Sequence, residues 1–288
     1  PVPLVTGTSG TGRCRKCLTL EIAMCGRFGL TNPSRLDLER MFATINVAAI
    51  ADDVPDTLEP RYNIAPSSRL LAAVEKKGDG DAPGARGLMW LKWGLVPHWA
   101  KEPAIGNRLA NARAETVATT PAFRDAWKQG RRCLVPADVF YEWSDVAEPT
   151  ADPRNGDPGI TGARPTGKAK PVRQPWAIAM RDRAPFCFGA LWSTWRDKGD
   201  AEAPPLHTVT LITTTPNALM APIHDRMPVI VPRDLWDAWL RRDTPLDAAE
   251  AMLDRYPADG MTAWKVSRAV STPRNDGPEL LDPVESMR

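Results

Sequence analysis

Leu38, Met41, Phe42 and Ile45 recur at i, i+3, i+4 and i+7, the spacing of one apolar helix face, and Asn32 followed by Pro33 supplies a cap and a first helical position. An amphipathic helix packed on the core is predicted there. Downstream the period shortens. Residues 70–74 form an apolar run that predicts a strand, residues 78–84 a Gly/Asp-rich turn, and residues 87–96 a second strand. Phe123 and Trp127, four residues apart behind Thr120 and Pro121, predict a short capped helix. Strands are predicted over 132–136, 139–143, 176–180, 185–192 and 208–213, and helices over 233–240 and 245–255, the last capped by Thr244.

Two stretches lack this order. Residues 1–24 are rich in Gly, Thr and Ser and carry no sustained period, so a disordered or mis-assigned extension is expected before a single domain over 25–288. Residues 145–175 fill with Pro, Gly, Asp and Arg and predict a long surface insertion. Strands joined by short turns, with helices between groups of them, predict an α+β domain whose largely antiparallel, barrel-like sheet is flanked by helices.

Composition narrows the setting. Hydrophobic residues make up 43% and charged residues 25% of 288, with no run of ~18 apolar residues, so a soluble, non-membrane protein is expected. A net charge of +2 gives no global basic field, and any nucleic acid must be held by a local patch. The odd cysteine count, Cys14, Cys17, Cys25, Cys133 and Cys187, fits a reducing, cytoplasmic compartment. Cys14 and Cys17 are half of a zinc-ribbon spacing with no second pair, so no metal and no cofactor are expected.

Each candidate for chemistry is weak alone. Cys133 and Cys187 sit among apolar strand residues and read as small buried hydrophobes, as Cys25 could. Among His98, His207 and His224, the last stands out because Asp225 and Arg226 follow it. Asn111 beside Arg113 fits a turn as well as a site. Glu142 lies between Tyr141 and Trp143, an apolar setting that raises a carboxylate's pKa towards the range used in acid–base work.

In combination, Met24-Cys25-Gly26-Arg27-Phe28, Arg61-Tyr62-Asn63-Ile64-Ala65-Pro66, Trp93-Gly94-Leu95-Val96-Pro97, residues 111–116, Phe140-Tyr141-Glu142-Trp143, residues 223–228 and residues 275–280 resemble, in order, the SOS response-associated peptidase (SRAP) family. That family shields abasic sites in single-stranded DNA by covalent attachment. The resemblance implies a catalytic group of Cys25, Asn111, Glu142 and His224, and a DNA surface that includes Arg27, Asn63, Pro66, Trp93, Arg113 and Arg226.

It further implies a monomeric enzyme whose partner is abasic single-stranded DNA, associated with the nucleoid when bound. Cys25 as first residue would offer an α-amine beside its thiol, and the two can close on an aldehyde as a thiazolidine. Residues 1–24 are therefore expected to be untranslated or removed, by autoprocessing among other routes. Two other readings stand beside this one: a cysteine peptidase using Cys25 with His224, and a single-stranded-DNA binding module in which Cys25 is incidental.

Overall fold

The computed structural model describes residues 26–31, 35–45, 47, 49–50, 58–78, 84–145 and 173–284. In chain order its main elements are β1 (Arg27–Leu30), α1 (Arg35–Phe42), β2 (Ala49–Ile50), β3 (Arg61–Ile64), β4 (Arg69–Glu75), β5 (Arg86–Trp93), β6 (Asn111–Arg113), α2 (Arg124–Lys128), β7 (Arg132–Ala137) and β8 (Val139–Asp145). They continue as β9 (Arg173–Met180), β10 (Phe186–Trp195), β11 (Leu206–Thr214), β12 (Met227–Pro228), α3 (Trp236–Leu240), α4 (Leu246–Ala251) and β13 (Met261–Lys265).

Strands β11, β10, β7, β4 and β5 are joined in that order by antiparallel ladders, and β5 returns to β11 through the parallel pairs Thr208↔Lys92 and Val209↔Trp93. The ring is a closed five-stranded barrel, which leaves none of its strands as a full free edge. A second sheet, in the order β13-β9-β8-β1-β3, is antiparallel throughout. The expected α+β, barrel-like architecture is thus present.

The two-residue period decides which side chains meet. Cys133 and Val135 of β7 and Phe186 and Phe188 of β10 join Phe28, Phe140 and Ile178 of the second sheet in one core. On the opposite side, Leu134, Cys187 and Leu191 pack with Leu38, Met41 and Phe42 of α1, Trp127 of α2, and Trp236 and Trp239 of α3. The outer face of the second sheet is covered by Val266, Val270 and Leu280. Burial pushes the Cys133 and Cys187 thiols well up, as expected of inert cysteines.

Helix limits and caps differ from the sequence pattern. Asn32, Pro33 and most of the 145–175 insertion lie outside the described residues, as do residues 1–25. Asp145 and Arg173 belong to strands instead, paired across the ladder by a 3.1 Å ion pair. The second helix starts at Arg124 rather than at Pro121, with a turn in which Thr120 O accepts from the Phe123 and Arg124 amides. Thr244 does not cap α4; its hydroxyl donates to Ala238 O at 2.6 Å and ties the preceding turn to α3.

Candidate active site

On β8, Phe140 packs between the two sheets while Val139, Tyr141 and Trp143 face the C-terminal segment. Alternation puts Glu142 on the Phe140 side, where it is 2% exposed and stands opposite Trp176 of β9. A carboxylate there is sequestered from water by construction. β1 lies on the other flank of β8, with Arg27 opposite Tyr141. Continued by one residue, this register brings Gly26 to the Glu142 end of the ladder.

The turn after β11 brings the second group. Asn217, 5% exposed, accepts the Met220 amide at 2.9 Å and donates to Tyr256 O at 2.8 Å, and the His224 amide then closes on Met220 O at 2.9 Å. This fixes the path by which His224 enters the site. Its Nε2 lies 4.0 Å from Glu142 Oε2, just beyond hydrogen-bond range.

Nδ1 of His224 is 3.0 Å from the Arg226 amide and also 3.0 Å from Asp225 Oδ1. One neutral nitrogen cannot accept from the first and donate to the second. The amide is held by the backbone, whereas the Asp225 side chain is 84% exposed, so the amide sets the tautomer of the neutral ring. The ring proton then sits on Nε2, towards Glu142. Burial, the largest influence, pulls the imidazole pKa below its ordinary value and favours this neutral form, although Asp225 opposes the shift.

Arg226 is itself fixed. Its guanidinium makes a bidentate pair with Glu115, at 2.5 and 2.9 Å, and donates to Thr213 O at 2.6 Å. It is 8% exposed, so its charge is largely committed within the protein. Arg113 is exposed and pairs in register with Thr213, and Asn111, two residues earlier on β6, pairs with Leu211. Asn111, Arg113, His224 and Arg226 thus converge on one end of β11.

The other expected DNA contacts divide. Asn63 is 3% exposed and its amide donates to Val270 O, Thr272 O and Asn275 O at 2.8 to 3.1 Å, while Arg27 donates to Asn63 Oδ1, Val270 O and Ser271 O. These two residues latch the C-terminal segment under the sheet. Pro66 is half-buried, before a turn in which Ser67 takes φ 72°. Trp93, which Gly94 and Pro97 left open to either a base-stacking face or a core position, is a core residue. It is 1% exposed, its ring lies 5.3 Å from Phe28, and its Nε1 donates to Ala110 O at 2.9 Å. Gly94 follows at φ +124°, where a Cβ would meet Gly106 O at 2.5 Å, and that tight turn is why Trp93 points inward.

The exposed aromatic of this motif is Trp99, 43% accessible. The signal for it was its position after Pro97 and His98, beyond the turn. Cys25 lies outside the described residues, as do Cys14 and Cys17.

The family model described as SOS response associated peptidase (SRAP) matches residues 24–273. The chain belongs to the SRAP family. Among its SRAP relatives is the abasic site processing protein YoaM of Bacillus subtilis, 35% identical over 270 residues that cover 92% of this chain and all of YoaM. The abasic site processing protein YedK of Escherichia coli is 30% identical over 266 residues, covering 91% of this chain and all of YedK. A crystal structure of a Bacteroides thetaiotaomicron protein shares the fold with a TM-score of 0.68 at 19% identity, over 91% of this chain and all of that one.

Proposed function

We propose that this SRAP protein captures abasic sites in single-stranded DNA as a covalent thiazolidine on Cys25. The observation that carries the proposal is the buried Glu142 carboxylate 4.0 Å from the Nε2 of His224, in a chain whose full-length relatives are named abasic site processing proteins. A sequestered acid–base couple suits proton transfers at a sugar, and the couple stands at the end of the sheet next to the start of β1.

The chemistry follows from the lesion. An abasic deoxyribose opens to an aldehyde as its ring oxygen gains a proton and its anomeric hydroxyl loses one; His224, in its protonated form, donates the first, and the second restores the imidazolium. The α-amine of Cys25 adds to the aldehyde carbon, and the hemiaminal loses water with Glu142 moving the protons. The thiol then adds to the imine carbon; its proton passes to the imine nitrogen, which becomes the ring N–H. Asn111 holds the amine in place. An α-amine, with a pKa of roughly 7.7 to 8.0 against about 10.4 for lysine, is sufficiently neutral near pH 7 to attack.

An amide nitrogen could not do this, because its lone pair is delocalised into the carbonyl. The reaction therefore requires Cys25 to be the first residue of the working protein. Arg113, exposed on the strand that pairs with Thr213, is the cation we assign to a DNA phosphate.

Intact mass spectrometry after incubation with an abasic single-stranded oligonucleotide tests this. The expected species has the summed mass less one water, survives denaturing electrophoresis and is missing for Cys25→Ala. A complex that dissociates in denaturant would leave a binding module, and cleavage of peptides without an adduct would leave a peptidase.

A further inference from the structure

A cavity of about 500 Å³ opens away from the Glu142–His224 couple, between the loop carrying Trp99, helix α2 and the end of β10. Its cations are Arg131, Arg196 and Lys198, with Ser193 and Thr194 supplying hydroxyls. The one carboxylate in its wall, Asp125, already has His98 at 3.8 Å and Arg124 at 3.7 Å. Positive charge is therefore in excess within the cleft, in a protein whose net charge is only +2.

Arg131 is the least ordinary member. Its guanidinium stacks over Trp192 at 5.4 Å, and its Nε is buried without a hydrogen-bond partner among the described residues. Buried donors are normally satisfied, and an orphaned guanidinium nitrogen on a residue that lines a cationic cleft is what an anion-binding site presents before its ligand arrives. The depressed pKa of His207 agrees: burial is its main cause, followed by the nearby charges of Arg196, Lys76 and Arg131.

We infer that this cleft is a second nucleic-acid subsite, which holds the phosphates of the strand flanking the lesion with Trp99 as its apolar wall. The inference rests on the proposed action on single-stranded DNA. β11 supplies the spacing. Thr208 pairs with Ser193 at the cleft end, and Thr213 lies at the Arg226 end. Five residues of strand span ~17 Å, or about five nucleotides at the ~3.4 Å rise of a stacked strand.

Fluorescence anisotropy with undamaged oligothymidylates of 5 and 15 nucleotides tests the cleft separately from the cross-link. The parent protein is expected to bind the longer strand about tenfold more tightly than the shorter. Arg196→Gln/Lys198→Gln, two changes at exposed side chains, should remove most of that gain. It should also lower the slope of log K against log salt by ~1.4 for the longer strand, at ~0.7 per phosphate contact. The same gain and slope in parent and variant, or no gain with length in the parent, would overturn the inference. Loss of the covalent adduct with the length effect intact would instead remove the thiazolidine reading and leave the cleft standing.

Discussion

The backbone amide of Arg226 donates to His224 Nδ1 at 3.0 Å, and this bond turns the Nε2 proton of the imidazole towards Glu142. The acid–base couple is thus oriented by the main chain as well as by its own side chains. Replacing Glu142 by Gln keeps the volume but removes the proton acceptor. Cross-linking of abasic single-stranded DNA, followed by denaturing electrophoresis from pH 6 to 8, should slow by ~10² to 10⁴. Rates equal to the parent across that range would show that Glu142 moves no proton.

The amide of Arg226 is only as well placed as its side chain, which Glu115 and Thr213 hold. Glu115 is 47% exposed, so the ion pair itself contributes little, on the order of 1 kcal/mol or less. Arg226→Ala costs more, roughly 2 to 3 kcal/mol, because it empties a buried volume and leaves Thr213 O without its donor. Glu115→Gln should therefore leave the urea midpoint nearly unchanged while slowing cross-linking several-fold, with Glu115→Asp restoring part of the rate. A variant that loses stability and rate together would reduce the pair to scaffolding.

Much of this arrangement was legible in the chain. The short, nearly continuous buried runs of β4, β7, β8, β10 and β11 and the 3.6-period face of α1 report which side chains are buried, and burial is what sets the fold. Trp93 was not legible. An indole between Lys92 and Gly94 looks the same on a surface as in a core, and its inward direction depends on the contact of Gly94 with Gly106 twelve residues away. Arg27 and Asn63 hid for the same reason: their partners are carbonyls of residues 270–275, more than 200 positions downstream. Polar residues reveal how near the site they are, whereas the commitment of their hydrogen bonds is a tertiary fact.

That latch makes its own prediction. Asn63→Ala removes the side-chain donor to Thr272 O and Asn275 O and an acceptor from Arg27, while Val270 O keeps Arg27, in a place that is 3% exposed. Unsatisfied buried groups cost ~1 to 3 kcal/mol each when no water reaches them, so a loss of about 3 kcal/mol in urea unfolding is expected. Asp276→Ala, which removes the acceptor for the Tyr62 and Asn63 amides, should act on the same segment. The double variant should lose clearly less than the two single losses added together, because both free the same residues. Strict additivity would mean that the C-terminal segment is not held as one unit.

Acid should weaken the fold through two of its histidines. His224 and His207 both have pKa values pulled below the ordinary histidine value, in each case chiefly by burial. A lowered pKa in the folded state means that the unfolded chain binds protons first. The associated stability is complete above the unfolded value of about 6.5 and is lost as pH falls through that value towards the folded one. Both rings are only partly buried and therefore screened, so the expected result is a modest fall in Tm as the pH drops from 7.5 to 5.5. Glu115, whose carboxyl is held down by the Arg226 hydrogen bonds, has the same sign but acts only nearer pH 4. His207→Gln should flatten the slope between pH 7.5 and 5.5 by about half, with the Thr194 hydroxyl still offered a partner in place of Nδ1. A Tm that rises on acidification in the parent, or a slope unmoved by the substitution, would mean that neither ring is held neutral by the fold.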